Sequence, residues 1–531
     1  MKNNKGGHHK PQAGRAAGSH VQPANAKPVP GWIGPALWAA YFVFAYLLLA
    51  VGYADYLRQW EQMSLFLPTS MFFERCMLLP GGLLEWAGTY LVQFFFHPWL
   101  GAGIYAALST LLVWLVYKAL GLSRSWAPAA VVPSAMLLLA FVSQGYLVYT
   151  LRGPGMPYAN LIGAIVATAS VLACRHIRCV YLRMALMLAL VFAGYPFFGF
   201  YGLMGAGLCV LLEVAYMVEQ KGAKRWMSLG AMLLTAAAIV VWPLAWHRYA
   251  HTIVPVRRLF ISGLPILEEG EFKLILPYIV AYGLMAVGIV LSACKWLKSN
   301  GRTWLVGAIA VYAAAVSAVS IFKYDDENFR MTASLSQALM DGDWARAQAV
   351  ADANQDFTPT RLNVLFTDIA LMRQGIAGDK MFTYRTGSEP YVSPRSTSMR
   401  DAGGMMLSYH FGRIFNAYRW AMEYHVEYGS KVAYLKMMAK AALLMGEYDL
   451  ARKYLKTLAQ TKYHKAWAEK YLAYADQPEL IGQDEEMAQI KKLMAFRDYI
   501  GGDGGKIESY LLPVLRSMSS GTYEKFDLSL M

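Results

Sequence analysis

Acidic residues are scarce at the front of this chain. Residues 1–322 hold 9 Asp/Glu against 23 Lys/Arg, whereas residues 323–531 hold 26 of each. The whole formal charge of +14 therefore belongs to the first part. A basic surplus set among apolar runs is the pattern of membrane-orientation signals and argues against nucleic-acid binding. Cysteine is scarce as well. Cys76, Cys174, Cys179, Cys209 and Cys294 are the full set, and none lies in the second half. That excludes a disulfide framework there, and no CxxC or Cys/His ligand spacing occurs. Cys174, His176 and Cys179 sit among Arg175, Arg178 and Arg183, a poor setting for a dication, so we read a basic cytoplasmic turn and no metal site. Residues 323–531 also lack GxSxG, HExxH and P-loop motifs. Charged residues make up 16% of the chain and hydrophobic ones 56%, with mean hydropathy +0.31. That is too apolar for an ordinary soluble protein.

What is present is an all-α pattern in two parts, a polytopic membrane domain and a soluble helical one. Residues 1–30 carry Lys2, Lys5, Lys10, Arg15 and Lys27 with no acid, and are expected to be a disordered cytoplasmic tail. Residues 31–322 form the expected transmembrane domain. Spans are predicted near 33–53, 99–119, 128–150, 158–174, 180–197, 199–218, 226–246, 274–294 and 303–322, about nine in all. The first reads as an uncleaved anchor. Residues 83–96 are ambiguous: apolar, but short and carrying Glu85. If they do not cross, eleven Lys/Arg fall in the internal loops, with at least two in each. If they cross, that pattern inverts. The rule favours an internal N-terminus, an external C-terminus and two long external loops near 54–98 and 247–273.

Residues 323–531 are expected to form a periplasmic helical-repeat domain. The motif G-x-aromatic-x-x-A occurs at Gly342-Trp344-Ala347 and Gly446-Tyr448-Ala451, and with Asn for Gly at Asn416-Tyr418-Ala421. Gly or Asn allows a left-handed turn, the aromatic wedges between helices, and Ala lets backbones approach. The domain resembles tetratricopeptide repeats, with irregular spacing and a long loop over residues 383–404. The alternative is a generic helical bundle. Stacked pairs leave a groove that binds proteins. The aromatic stripe Tyr409, His410, Tyr418, Trp420, Tyr424, His425 and Tyr428 reads as core.

Pro80-Gly81-Gly82, the run Leu91-Val92-Gln93-Phe94-Phe95-Phe96, Pro98-Trp99-Leu100-Gly101 and Asn416-Ala417-Tyr418-Arg419-Trp420 together resemble the domain-of-unknown-function 6057 family of Bacteroidetes membrane proteins. The resemblance implies a polytopic inner-membrane protein with a helical-repeat C-terminus and supplies no activity. The first functional reading is non-enzymatic: a membrane anchor presenting a repeat domain to a periplasmic protein partner in envelope assembly, with no cofactor. The second is enzymatic. A long external loop following a first span with an acid resembles the GT-C class of glycosyltransferases, which use lipid-phosphate sugars. There Asp55 or Glu61, read as surface carboxylates, acts as base or holds a divalent cation, and Arg152, Arg248, Arg257 and Arg258 grip the lipid phosphate. That class usually has paired acids, but Tyr56 follows Asp55. A transporter is third. Glu213, the one acid read inside a span, is expected to snorkel or to pair with Lys221 or Lys224.

Overall fold

The computed structural model describes residues 29–219, 223–250, 254–265, 272–292, 295–386 and 395–494. The basic tail through residue 28, Glu268, Glu269, Glu271 and the last 37 positions lie outside the described residues. Every described element is helical apart from an isolated bridge between Ser262 and Leu264.

The first part begins with α1 (Ile33–Leu47), extended by a π-helical turn to Gly52, then α2 (Ala54–Gln62), α3 (Ser70–Met77) and α4 (Gly82–Val92). It continues with α5 (Pro98–Leu120), a 3-10 stretch Arg124–Val131 leading into α6 (Val132–Val142), and α7 (Met156–His176). Then come α8 (Val180–Phe192), α9 (Gly194–Phe198), α10 (Phe200–Glu219), α11 (Ala223–Tyr249), α12 (Phe272–Leu291) and α13 (Arg302–Phe322). Eight of these segments are long and apolar enough to cross a membrane, and the chain is a multi-pass membrane protein. The α8 helix is shorter at 13 residues, but α9 continues it toward the same face that the other helices reach. The α6 helix is central: every residue from Val132 to Val142 is buried.

Contacts between helix ends sort the connections into two faces. On one face Gly121 meets Arg175, Arg175 bonds Ser292, and Ser123 bonds Leu297 and Ser299. On the other Tyr53 and Val142 bond Tyr324, Glu85 bonds Gly155, and Ser262 bonds Pro80 and Phe200. The second half of the chain follows from this latter face, called here the repeat face.

Residues 83–96 do not cross. The α4 helix has 11 residues and spans about 16 Å at 1.5 Å each, roughly half a bilayer core. Its start is held by Gly81 N–H on Pro196 O, and the turn beyond it stacks Phe96 on Tyr463. Both ends therefore lie on the repeat face. Glu85 is half-buried against the N-terminus of α7, taking the Gly155 N–H at 3.1 Å. Burial raises its carboxyl, and the Gly155 and Thr89 donors oppose that rise. The span expected over 128–150 is displaced. The apolar crossing runs Arg124–Val142, because Gly145 takes a left-handed turn and residues 145–149 coil under the second half.

The second half holds α14 (Glu327–Asp341), α15 (Trp344–Ala353), α16 (Arg361–Arg373), α17 (Ala377–Lys380), α18 (Arg395–His410) and α19 (Ile414–Tyr428). After these come α20 (Val432–Met445), α21 (Tyr448–Leu458), α22 (Lys465–Asp476) and α23 (Glu485–Leu493). Four pair turns are built alike. Gly342, Gly375, Gly412 and Gly446 have φ of 69°, 73°, 73° and 84°. Each glycine N–H bonds the carbonyl three residues back, and the next N–H bonds the carbonyl five back. This is the Schellman arrangement that a left-handed residue permits.

These turns correct the expected register. Asn416 is not a turn residue: it is buried within α19, and the turn falls four residues earlier at Gly412. From there Gly412-Arg413-Ile414-Phe415-Asn416-Ala417 repeats the pattern, with Ile in the aromatic position. Ala347, Ala417 and Ala451 are fully buried. Tyr418 instead links α19 to α21 through a 2.8 Å bond to Tyr454, and Ala421 packs further along α19. With Gly375 included, the turns are 33, 37 and 34 residues apart. The loop expected over 383–404 is also shortened. Helix α18 begins at Arg395, and Gly403 is a close-packing residue, since a Cβ there would lie 2.3 Å from Leu362.

Candidate functional site

The described residues with the densest long-range polar contacts surround α2. This helix has two characters, and each has its own partner. Its apolar side chains turn to the bundle and the start of α14. Trp60 and Tyr56 pack edge-on, Trp60 lies 5.6 Å from the Phe141 ring, and Tyr56 lies 5.7 Å from Phe329. Its polar side chains turn to the helical array. Gln59, Glu61 and Gln62 are all buried there.

Four groups of contacts run along α2. Asp55 accepts from Ser334 Oγ at 2.6 Å and from Arg346 Nη2 at 2.7 Å. Arg58 pairs with Asp341 at 3.1 Å, and Arg346 approaches the same carboxylate at 3.9 Å. Asp55, Arg346, Asp341 and Arg58 thus form a chain of alternating charge. Gln337 donates to Gln59 at 3.1 Å. At the far end His464 Nε2 is hydrogen-bonded to Glu61 Oε1 at 2.6 Å, and Gln62 donates to Glu61 Oε2 at 2.8 Å. Beyond α2, Val432 N–H bonds Ser64 O, and Lys431 and Tyr434 both donate to Tyr149 O.

Lys436 completes the cluster. Its ammonium contacts Gln62 Oε1 at 3.4 Å and sits over the Trp467 ring at 5.4 Å. Burial pulls its pKa down to about 8, against the opposing pull of Glu61 and Asp341. Beside it Glu61, Ser64, Gln93, Lys462 and His464 line a small cleft that opens to solvent. An aromatic group rims this end: Phe96 stacks on Tyr463 at 4.9 Å, and Lys462 caps Phe94 at 4.3 Å.

The expected site residues are thus divided. Asp55 and Glu61 are not surface carboxylates: both are bound by side chains of the second half. Arg152, Arg248, Arg257 and Arg258 share the repeat face but do not join them. Arg152 lies exposed in the α6–α7 connection, Arg248 ends α11, and Arg257 and Arg258 lie in the 3-10 turn Val256–Ile261. Glu213 does not pair with Lys224, which is exposed, and Lys221 lies outside the described residues. Glu213 is buried with Arg183 at 2.7 Å and accepts from Ser228 at 2.6 Å. Of the aromatic stripe, Tyr409, His410 and Tyr424 are buried, while Tyr418, Trp420, His425 and Tyr428 are half-buried. Among the described residues no three His, Cys, Asp or Glu converge as a metal-binding group.

Sequence reasoning missed His464, Arg346, Asp341, Ser334 and Lys436. Arg346 lies inside the Gly342 turn motif, yet nothing local marks its partner. What the arrangement does chemically is hold two parts of the chain in one relative attitude. Its one acid–imidazole pair sits beside a narrow pocket.

Neither a curated protein nor a solved structure matches the chain. The match that exists is to a family, and it takes in both the bundle and the helical array. The chain belongs to the family of unknown function DUF6057, whose match covers residues 30–520.

Proposed function

We propose that this protein is an inner-membrane scaffold that presents a tetratricopeptide-like domain in the periplasm to protein partners of envelope assembly. The observation that carries the reading is the docking of α2. A helix next to the first span fills one side of the helical array with Asp55–Arg346, Gln59–Gln337 and Glu61–His464 contacts. An array held this way keeps a constant attitude toward the membrane, which suits recruitment at a set distance from the bilayer. The same docking occupies the surface that would otherwise take an extended partner, so partners meet the remaining faces. The basic residues Lys118, Arg124, Arg175, Arg178 and Arg183 cluster on the face opposite the array, which supports a cytoplasmic N-terminus. In intact spheroplasts a cysteine replacing exposed Lys453 should react with an impermeant maleimide. Labelling only after lysis would reverse the orientation. In a strain where loss of the gene has a phenotype, residues 1–326 alone should fail to complement.

A glycosyltransferase with a lipid-phosphate donor is the second reading. The Glu61–His464 bond beside a small open cleft is the observation that favours it. It asks for a polar cavity running from Asp55 or Glu61 to Arg257, and the partners of both carboxylates lie on the array instead. Transport is third, and the closed Arg183–Glu213 pair lends it little support.

A further inference from the structure

A second pocket lies away from α2, between the first two helix pairs of the array. Met331 of α14, Ala351 and Asn354 at the end of α15, Val364 of α16 and Met381 form much of its wall, and it opens to solvent, its space totalling about 370 Å³ with that solvent included. Asp368 of α16 lines it. This carboxylate is only 5% exposed, yet among the described residues no donor and no cation contacts it. Buried carboxylates are nearly always paired or hydrogen-bonded, because stripping their water is costly. The burial also raises the Asp368 carboxyl to about 7. The neighbouring polar groups are already engaged elsewhere: Tyr384 donates to Asp352 at 2.7 Å and Arg385 to Asp356 O at 3.3 Å. The carboxylate therefore faces the pocket without a protein partner among the described residues, its oxygens still open to the pocket's solvent.

We propose that this pocket receives the side chain of a lysine or arginine presented by a partner protein. The mostly apolar wall suits an aliphatic stem lying along the cleft, and Asp368 supplies the countercharge and acceptor for the cationic tip. The proposal rests on the recruitment reading and gives it a chemical address. It also explains why a carboxylate is kept where no part of the described chain satisfies it.

The test uses the full-length protein in nanodiscs and needs no partner. Val364→Cys places a thiol on the pocket wall, one helical turn from Asp368. Its modification by neutral hydroxyethyl methanethiosulfonate is followed at that peptide by mass spectrometry, at pH 8. Saturating Nα-acetyl-lysine methylamide or its arginine counterpart should slow the reaction at least threefold, whereas the norleucine counterpart should not. Adding Asp368→Asn should abolish the protection. Asn354→Cys, on the same wall, repeats the measurement should the first variant fold poorly. Equal protection by norleucine, protection that survives Asp368→Asn, or no protection at either position would each overturn the proposal. The recruitment reading fails separately, if residues 1–326 complement in full.

Discussion

Glu61 and His464 stand 403 positions apart in the chain, and a 2.6 Å hydrogen bond joins them. Their side chains are 4% and 3% exposed, so little water can replace either partner. Removing one leaves the other buried without its main partner. His464→Ala should therefore cost about 3 kcal/mol of docking stability. Glu61→Gln and His464→Ala together should cost less than the sum of the two. Thermal unfolding of the four proteins in a double-mutant cycle measures that coupling. Strict additivity would mean that the bond contributes nothing.

The charged chain at the other end of α2 is wetter and should be weaker. Asp55 and Arg346 are 27% and 34% exposed. Asp55→Asn should cost about 1 kcal/mol, with much of the loss masked in 1 M salt. Exchanging the two charges, Asp55→Arg with Arg346→Asp, should recover part of it. Melting curves at low and high salt check this.

Asp368 predicts a pH dependence. Its folded-state pKa of about 7 lies above the ordinary carboxylate value. The folded state therefore holds its proton more tightly than the unfolded chain. The linked stability is full below about pH 4 and is lost as pH rises through 7. Asp368→Asn keeps the neutral form at every pH. The variant should match wild type near pH 4 and exceed it by about 2 kcal/mol at pH 8. A variant that is less stable at pH 8 would contradict this.

The corrected register predicts a difference between two glycines. Both Gly412 and Gly446 need positive φ, which disfavours any side chain by about 1 kcal/mol. A Cβ on Gly412 would also lie 2.6 Å from the Leu493 Cβ, whereas nothing lies within 4 Å of one on Gly446. Gly412→Ala should cost at least 1 kcal/mol more than Gly446→Ala, as measured by chemical denaturation. Asn416→Ala should have a smaller effect on turn geometry than either.

The layout was legible because it rests on local signals. Apolar runs of bilayer length mark the spans, and a Gly-x-Trp or Gly-x-Tyr turn opens α15 and α21. The third turn was misread because Ile414 replaces the aromatic, while Asn416-Tyr418-Ala421 imitates the motif four residues downstream. Gly375 was missed because α17 after it is only four residues long. The junction was not legible at all. Asp55 and Glu61 stood out as acids beside a span, but pairing with Arg346 and His464 depends on how the array folds back over the bundle. No periodicity encodes a contact across hundreds of residues. Glu213 illustrates the same point within the bundle: nearby lysines suggest its partner, and Arg183 of α8 supplies the charge.

Docking of α2 against the array is the feature on which the scaffold reading stands, and one cross-link tests it most directly. Gln59 and Gln337 touch at 3.1 Å from elements 278 positions apart. With Gln59→Cys and Gln337→Cys together, a short bis-methanethiosulfonate cross-linker, which bridges the gap left by two shortened side chains, should join the two peptides within one chain in native membranes, as read by mass spectrometry. Gln59→Cys combined with Lys453→Cys on α21 should stay unlinked. If the first pair also stays unlinked, or links only between separate chains, α2 does not lie in the array and the scaffold is not held as described.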